Sequence, residues 1–143
     1  MPGKYDISVF FDEPFLVIDF LPEQVPPESH GQFPDIEQFY LEPERYAEIR
    51  ERFAHILLKL NCYSDFIVFY DSDETGIRNE DPQTLFRKII ENTRNINILI
   101  LPENSLVSLH RDDLCMTVFN PETKLLNQIR ALAGSYGLFV WKP

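Results

Sequence analysis

The sequence predicts an α+β fold with some α/β character, in which one mixed β-sheet of about five or six strands packs against about three helices. Short apolar runs of strand length alternate with longer stretches in which apolar residues recur at three- and four-residue steps. At 143 residues and 44% hydrophobic content, the chain can bury one core but has too little apolar surface for two. A single domain over residues 1–143 is therefore expected.

The amino-terminal part is predicted to be a strand pair followed by a loop. The run "YDISVFF" alternates, with Ile7, Val9 and Phe11 on one side, and "FLVIDFL" follows an Asp-Glu-Pro break. This pattern indicates an antiparallel pair. Prolines and a glycine then interrupt residues 22–34, so we expect a surface loop at about residues 22–41.

The rest of the chain is predicted to alternate helices with strands. Residues 42–61 have the apolar spacing of a helix, whereas "DFIVFY", "INILILP", "LCMTVF" and "GLFVWKP" have the length and composition of strands. Asp81 followed by Pro82 is typical of a helix start, because the carboxylate caps free amides and proline suits the first turn. Asn120 and Pro121 repeat this pattern before the last helix. The predicted order is β-β-α-β-α-β-β-α-β.

The net charge of the chain favours some kinds of binding partner over others. Its 13 basic and 23 acidic residues give a net charge of −10 and a pI near 4.6. Nucleic acids and anionic membranes are recognised through basic surfaces, so direct binding to either is not expected. A basic protein partner is favoured instead.

The cysteines and the amino terminus indicate a soluble cytoplasmic protein. Cys62 and Cys115 lie far apart and match neither a disulfide framework nor a zinc-binding spacing. We expect both to be reduced, partly buried thiols. The start lacks the pattern of a signal peptide, and no apolar run has the length of a membrane span.

The stretch "YDSDETGIRNED", residues 70–81, raises the question of a metal or catalytic site. A calcium loop of the EF-hand kind needs oxygen ligands at its first, third and fifth positions, glycine at the sixth and glutamate at the twelfth. Counted from Asp71, the early positions fit, but the last is Pro82, which has no side-chain oxygen. A calcium loop is therefore disfavoured.

The same stretch also resembles the first motif of the haloacid-dehalogenase-like phosphotransferases, since an apolar strand ends in Asp-x-Asp-x-Thr. The resemblance implies that Asp71 is the nucleophile and Asp73 the general acid, both near a magnesium ion. Ser105 and the acid pair at 112–113 could supply further parts of such a site. However, Lys124 follows that pair, which reverses the order in the family, and the chain after Asp71 is short for a doubly wound core.

The histidines do not suggest a metal site or a catalytic site. His30, His55 and His110 share no metal-binding spacing, and pairing His110 with Cys115 as base and nucleophile would join two residues close together on one strand. The chain also lacks a glycine-rich phosphate loop. No cofactor is expected.

The acidity, small size and α+β pattern, together with the closing run "DDLCMTVFNPETKLLNQIRALAGSYGLFVWKP", resemble the small immunity proteins of bacterial toxin systems. This resemblance implies a cytoplasmic protein that binds and blocks a cognate toxin, often a basic nuclease. No short signature defines the group, so the resemblance assigns no site residue.

The leading expectation is therefore a non-enzymatic immunity or inhibitor protein that binds a basic partner through an acidic surface. The residues expected to contact that partner are Asp71, Asp73, Glu74, Glu80, Asp112 and Asp113. Two alternatives remain open: a magnesium-dependent phosphotransferase or phosphatase using Asp71 and Asp73, and a structural or regulatory subunit of a larger assembly. In the last case, the aromatics of "GQFPDIEQFYLEPE" would make the contact.

Overall fold

The computed structural model describes residues 5–102 and 104–143. Its α-helices are α1 (Phe33–Tyr40), α2 (Pro43–Asn61), α3 (Pro82–Glu91) and α4 (Thr123–Ser135), and a 3₁₀ helix spans Ile7–Asp12. The strands are β1 (Phe15–Asp19), β2 (Asp65–Tyr70), β3 (Ile77–Arg78), β4 (Ile96–Leu101), β5 (Ser105–Leu109), β6 (Cys115–Phe119) and β7 (Phe139–Trp141).

The strands form one sheet in the order β3-β2-β4-β5-β6-β1-β7. Each pairing in this sheet is antiparallel. The α+β class is confirmed, but the expectation of a mixed sheet with five or six strands and about three helices is wrong. The described residues form a seven-stranded sheet without a parallel pair, four α-helices and one 3₁₀ helix. The short β3 and β7 form its edges.

Three helices cover one face of the sheet. Apolar residues of α2, α3 and α4 pack against alternate residues of the strands, including Ile18, Val68, Ile98 and Met116. Because successive side chains of a strand point to opposite faces, residues at the intervening positions lie on the other side. We call that other side the open face.

The open face has a smaller apolar cluster under the amino-terminal segment, residues 5–12. Phe10 is buried against Ile67, Phe69, Leu99 and Leu106. The 3₁₀ helix thus covers part of this face, where the three large helices do not reach.

The first predicted strand is wrong, because residues 7–12 form this 3₁₀ helix. The alternating positions Val9 and Phe11 are exposed, whereas Phe10 between them is buried. The Asp6 carboxylate begins the turn by accepting a hydrogen bond from the Ser8 amide at 3.0 Å. The second predicted strand of that pair is confirmed as β1.

Three further differences concern which segments form strands, helices and helix caps. Strands β3 and β5 were not predicted, since β3 has only two residues and serines interrupt the apolar run of β5. Helix α1 lies within the segment predicted as a loop at 22–41. The proposed cap at Asn120 is also wrong: α4 begins at Thr123, and Asn120 adopts a left-handed turn with φ 55°.

The remaining helices and strands agree with the sequence. Helix α2 and strands β2, β4, β6 and β7 occupy the predicted segments. The Asp81 carboxylate accepts a hydrogen bond from the Thr84 amide at 3.1 Å, which confirms the capped start of α3. None of the helices in the described part of the chain is both long and apolar enough to cross a membrane.

A buried arginine connects the helix layer. Arg50 of α2 is fully buried, and its Nε donates to the carbonyl of Ile89 at 2.8 Å. Its Nη1 donates to the carbonyl of His110 at 3.1 Å and to the Tyr46 hydroxyl at 3.5 Å. Burial lowers the pKa of this guanidinium from its usual value. Arg50 therefore joins α2, the end of α3 and the turn after β5.

Candidate partner-binding site on the open face

A row of three polar side chains crosses the open face. Asn97 of β4 lies opposite Ser108 of β5, and Ser108 lies opposite Thr117 of β6. Side chains opposite each other in an antiparallel pair are close neighbours. We call Asn97, Ser108 and Thr117 the polar row.

Two acceptors in the polar row are buried without a partner. Asn97 is 6% exposed and Ser108 is 5% exposed. Asn97 Oδ1 and Ser108 Oγ make no hydrogen bond to any residue in the described ranges. A buried polar atom left without a partner costs about 1–3 kcal/mol. The polar row therefore departs from the usual pairing of buried polar atoms.

A groove of about 240 Å³ lies at one end of the polar row, with Asn97 in its lining. Tyr5, Phe11 and Phe69 contribute its aromatic surface, and the rings of Tyr5 and Phe69 meet edge to face at 5.7 Å. The carboxylates that line it are those of Asp6, Asp71, Asp73 and Glu74. We call this cavity the acidic groove.

The loop of residues 71–74 is held in place by its own hydrogen bonds. Asp71 has a left-handed backbone with φ 54°, and its amide donates to the carbonyl of Asn95 at 2.8 Å. The Asn95 amide donates back to Asp71 Oδ1 at 3.2 Å. Asp73 Oδ1 accepts from the Thr75 amide at 2.9 Å. Two of the predicted contact residues thus shape the loop as well as charging it.

The second predicted acidic loop lies beside the first. The Arg111 amide donates to Asn95 Oδ1 at 3.0 Å, so Asn95 links the two loops. Asp112 forms a reciprocal pair with Asn92: its amide donates to Asn92 Oδ1 at 2.8 Å, and Asn92 Nδ2 donates to Asp112 Oδ1 at 2.9 Å. Asp112 is therefore tied to the end of α3.

A second groove of about 280 Å³ contains Ser108 and Thr117 of the polar row. Asp113, His110 and Phe11 also line it. Burial raises the pKa of Asp113, although the His110 charge partly opposes this effect. Ser108 Oγ makes no hydrogen bond to His110.

Glu80 does not belong to the exposed acidic surface. It is 8% exposed, accepts a hydrogen bond from the Tyr70 hydroxyl and pairs with Lys88 Nζ at 3.2 Å. Lys88 also lies 4.1 Å from the centre of the Tyr70 ring. The prediction that Glu80 contacts a partner is therefore corrected, because its carboxylate is used inside the fold.

The parts of the phosphotransferase alternative are not brought together. Ser105 is buried and donates to the carbonyl of Asn120 at 2.6 Å. Neither Ser105 nor Lys124 lines the acidic groove that holds Asp71 and Asp73. A doubly wound core is built on mostly parallel strands, whereas this sheet is antiparallel. Within residues 5–102 and 104–143, no three His, Cys, Asp or Glu side chains are grouped so that they could hold a metal ion.

The surface named for the assembly alternative lies on α1. Ile36 and Phe39 are exposed there. The Arg45 guanidinium lies 3.6 Å from the centre of the Phe39 ring, and Arg45 Nε donates to the Phe39 carbonyl at 2.6 Å. Phe39 is thus partly occupied by a contact within the chain.

The two cysteines differ in their surroundings, which leads to a test of the fold. Cys115 on the open face is partly buried, as expected, whereas the expected burial of Cys62 is wrong, because its side chain is exposed. Burial raises the pKa of the Cys115 thiol to about 12, and the charges of Asp19 and Asp113 add to this effect. A raised pKa lowers the thiolate fraction at neutral pH, so Cys115 should react slowly.

We expect iodoacetamide to modify Cys62 at least about a hundredfold faster than Cys115 in the folded protein. Peptide mass spectrometry over a time course measures both rates. In denaturant the two rates should become similar, and equal rates in the folded protein would contradict the burial of Cys115.

Comparisons with protein-family models, with curated proteins and with solved structures found no match to this chain.

Proposed function

We propose that the protein is a non-enzymatic binding protein of the immunity or inhibitor type, which takes up a basic protein such as a toxin on its open face. The acidic groove carries this proposal. Carboxylates and aromatic rings line the groove together, and its described lining residues include no Lys, Arg or His. Such a site attracts Lys and Arg side chains through charge and through contact with the ring faces.

The other charges of the protein also favour a basic partner. The nearby cations Lys88 and Arg94 contact the Tyr70 ring, which belongs to the helix-covered face. The net charge of −10 adds long-range attraction for a basic protein and raises its association rate. The proposed contacts are Asp6, Asp71, Asp73 and Glu74, with Asp112 and Asp113 in the adjoining loop. Action in the bacterial cytoplasm belongs to the same proposal.

A Gly-Lys repeat peptide provides a defined cationic probe of this function. Combining Asp71→Asn, Asp73→Asn and Glu74→Gln should weaken its binding about tenfold at low salt, because three rim charges contribute a few tenths of a kcal/mol to one kcal/mol each. The asparagines retain the oxygens that accept from Asn95 and Thr75, so the loop should keep its shape. Calorimetric titration at low and high salt measures the loss.

A variant with the same change in charge elsewhere is the control. Glu28→Gln, Glu44→Gln and Glu48→Gln neutralise exposed carboxylates outside the open face. This control should bind the peptide nearly as well as the unmodified protein. Equal losses in both triple variants would mean that net charge alone attracts the peptide, and would count against the acidic groove.

The inhibitor role can be tested by expressing the reading frame that lies next to the gene for this chain. We expect that frame to encode a basic protein that stops growth when expressed alone, and co-expression of this chain to restore growth. The triple loop variant should restore growth less well than the Glu28, Glu44 and Glu48 control. A neighbouring product that is harmless and does not bind would oppose the immunity role.

A further inference from the structure

Phe11 separates the two grooves of the open face. Its ring lines both the acidic groove, which contains Asn97, and the second groove, which contains Ser108 and Thr117. Because Asn97 and Ser108 are neighbours in register, the two grooves adjoin along the polar row. The Phe11 side chain therefore lies where they meet.

The Phe11 side chain is only partly packed. Phe11 is 47% exposed, although its ring meets Phe119 edge to face at 5.4 Å. Asn97 Oδ1 and Ser108 Oγ have no hydrogen-bond partner among the described residues. A half-exposed ring thus lines the same grooves as two buried residues whose oxygens can still accept hydrogen bonds.

We propose that the polar row is the floor of an arginine-binding site, and that an arginine of the basic partner moves Phe11 aside and donates to Asn97 Oδ1 and Ser108 Oγ. This inference rests on the proposed function and names the side chain that the open face selects. The carboxylates of the acidic groove and of Asp113 lie on either side of the row and balance the positive charge.

The geometry favours arginine over lysine. A guanidinium is flat and has five N–H donors in a fixed fork, so it can reach acceptors on two adjacent strands while stacking on aromatic rings. Aromatic surface is available on both sides, from Phe69 in the acidic groove and Phe119 in the second groove. An ammonium is compact and strongly hydrated, so it gains less from buried acceptors.

Matched Gly-Arg and Gly-Lys repeat peptides test this preference. We expect the unmodified protein to bind the Gly-Arg peptide about tenfold more tightly. Combining Asn97→Ala and Ser108→Ala should abolish that preference, so that the variant binds the two peptides with similar affinity. Because the replaced acceptors have no partner in the fold, the variant should remain folded, which circular dichroism checks. Asn127→Ala, an exposed change on α4, is the control and should keep the preference.

Phe11→Ala gives a second, independent measurement. Removing the ring should join the two grooves and strengthen binding of the Gly-Arg peptide several-fold, with a smaller effect on the Gly-Lys peptide. A protein that binds both peptides equally, or a double variant that keeps the arginine preference, would overturn the arginine site. Either result would leave the proposed function standing, since that function is tested separately, by the acidic loop variant with its control and by the neighbouring reading frame.

Discussion

Arg50→Ala is expected to lower the free energy of unfolding by about 3 kcal/mol or more, because hydrogen bonds from a charged donor contribute about 1.5–3 kcal/mol each. The change removes the donors that the carbonyls of Ile89 and His110 use, and it leaves a cavity between α2 and α3. Chemical denaturation followed by circular dichroism measures the loss.

Comparing Arg50→Met with Arg50→Ala separates the effect of the Arg50 charge on stability from the effect of its side-chain volume. Methionine fills much of the space and removes a buried guanidinium whose Nη2 has no partner in the described part of the chain. We expect this variant to lose less stability than Arg50→Ala, since the desolvated charge disappears along with the hydrogen bonds. An alanine variant within about 1 kcal/mol of the unmodified protein would mean that Arg50 is not a structural link.

Gly76→Ala should also destabilise the protein, by about 2 kcal/mol. A Cβ at this position would lie 2.2 Å from Ile67 Cγ2 and 3.0 Å from two ring carbons of Phe69. Ile67 is buried and β-branched, so its methyl cannot rotate freely out of the way. The backbone after the acidic loop must therefore shift, and binding of the Gly-Lys peptide should weaken as well.

Gly134→Ala is the matched control for this substitution. Gly134 lies within α4, and a Cβ there meets nothing within 4 Å. Alanine in a helix is favoured over glycine by about 0.5–1 kcal/mol, so this variant should gain stability. Thermal unfolding of the two variants compares them directly, and a stable Gly76→Ala protein would contradict the close approach of the loop to β2.

Most helices and strands could be predicted because their patterns are local. Helix α2 has a continuous apolar stripe, and α3 begins with its own cap at Asp81. For the amino-terminal segment, the local pattern predicted a strand wrongly, since Ile7, Val9 and Phe11 alternate as in a strand. Its Asp6 cap and the burial of Phe10 three residues after Ile7 indicate a tight turn instead.

The candidate site was only half predictable. The acidic loop was visible as a run of carboxylates, and its position after β2 was correctly inferred. Asn97 and Ser108 were missed, because each is a single polar residue within an apolar strand. Only the strand register shows that the two lie opposite each other. Asp6 was missed for a similar reason. It is far from Asp71 in the sequence, and only the folded chain brings both residues to the acidic groove.

The short edges of the sheet limit how this molecule can associate. β3 has two residues and β7 has three, so each edge presents few unpaired main-chain groups to another chain. Extension of the sheet by a foreign strand would therefore gain few hydrogen bonds. The short edges therefore offer little template for main-chain pairing between copies of the chain.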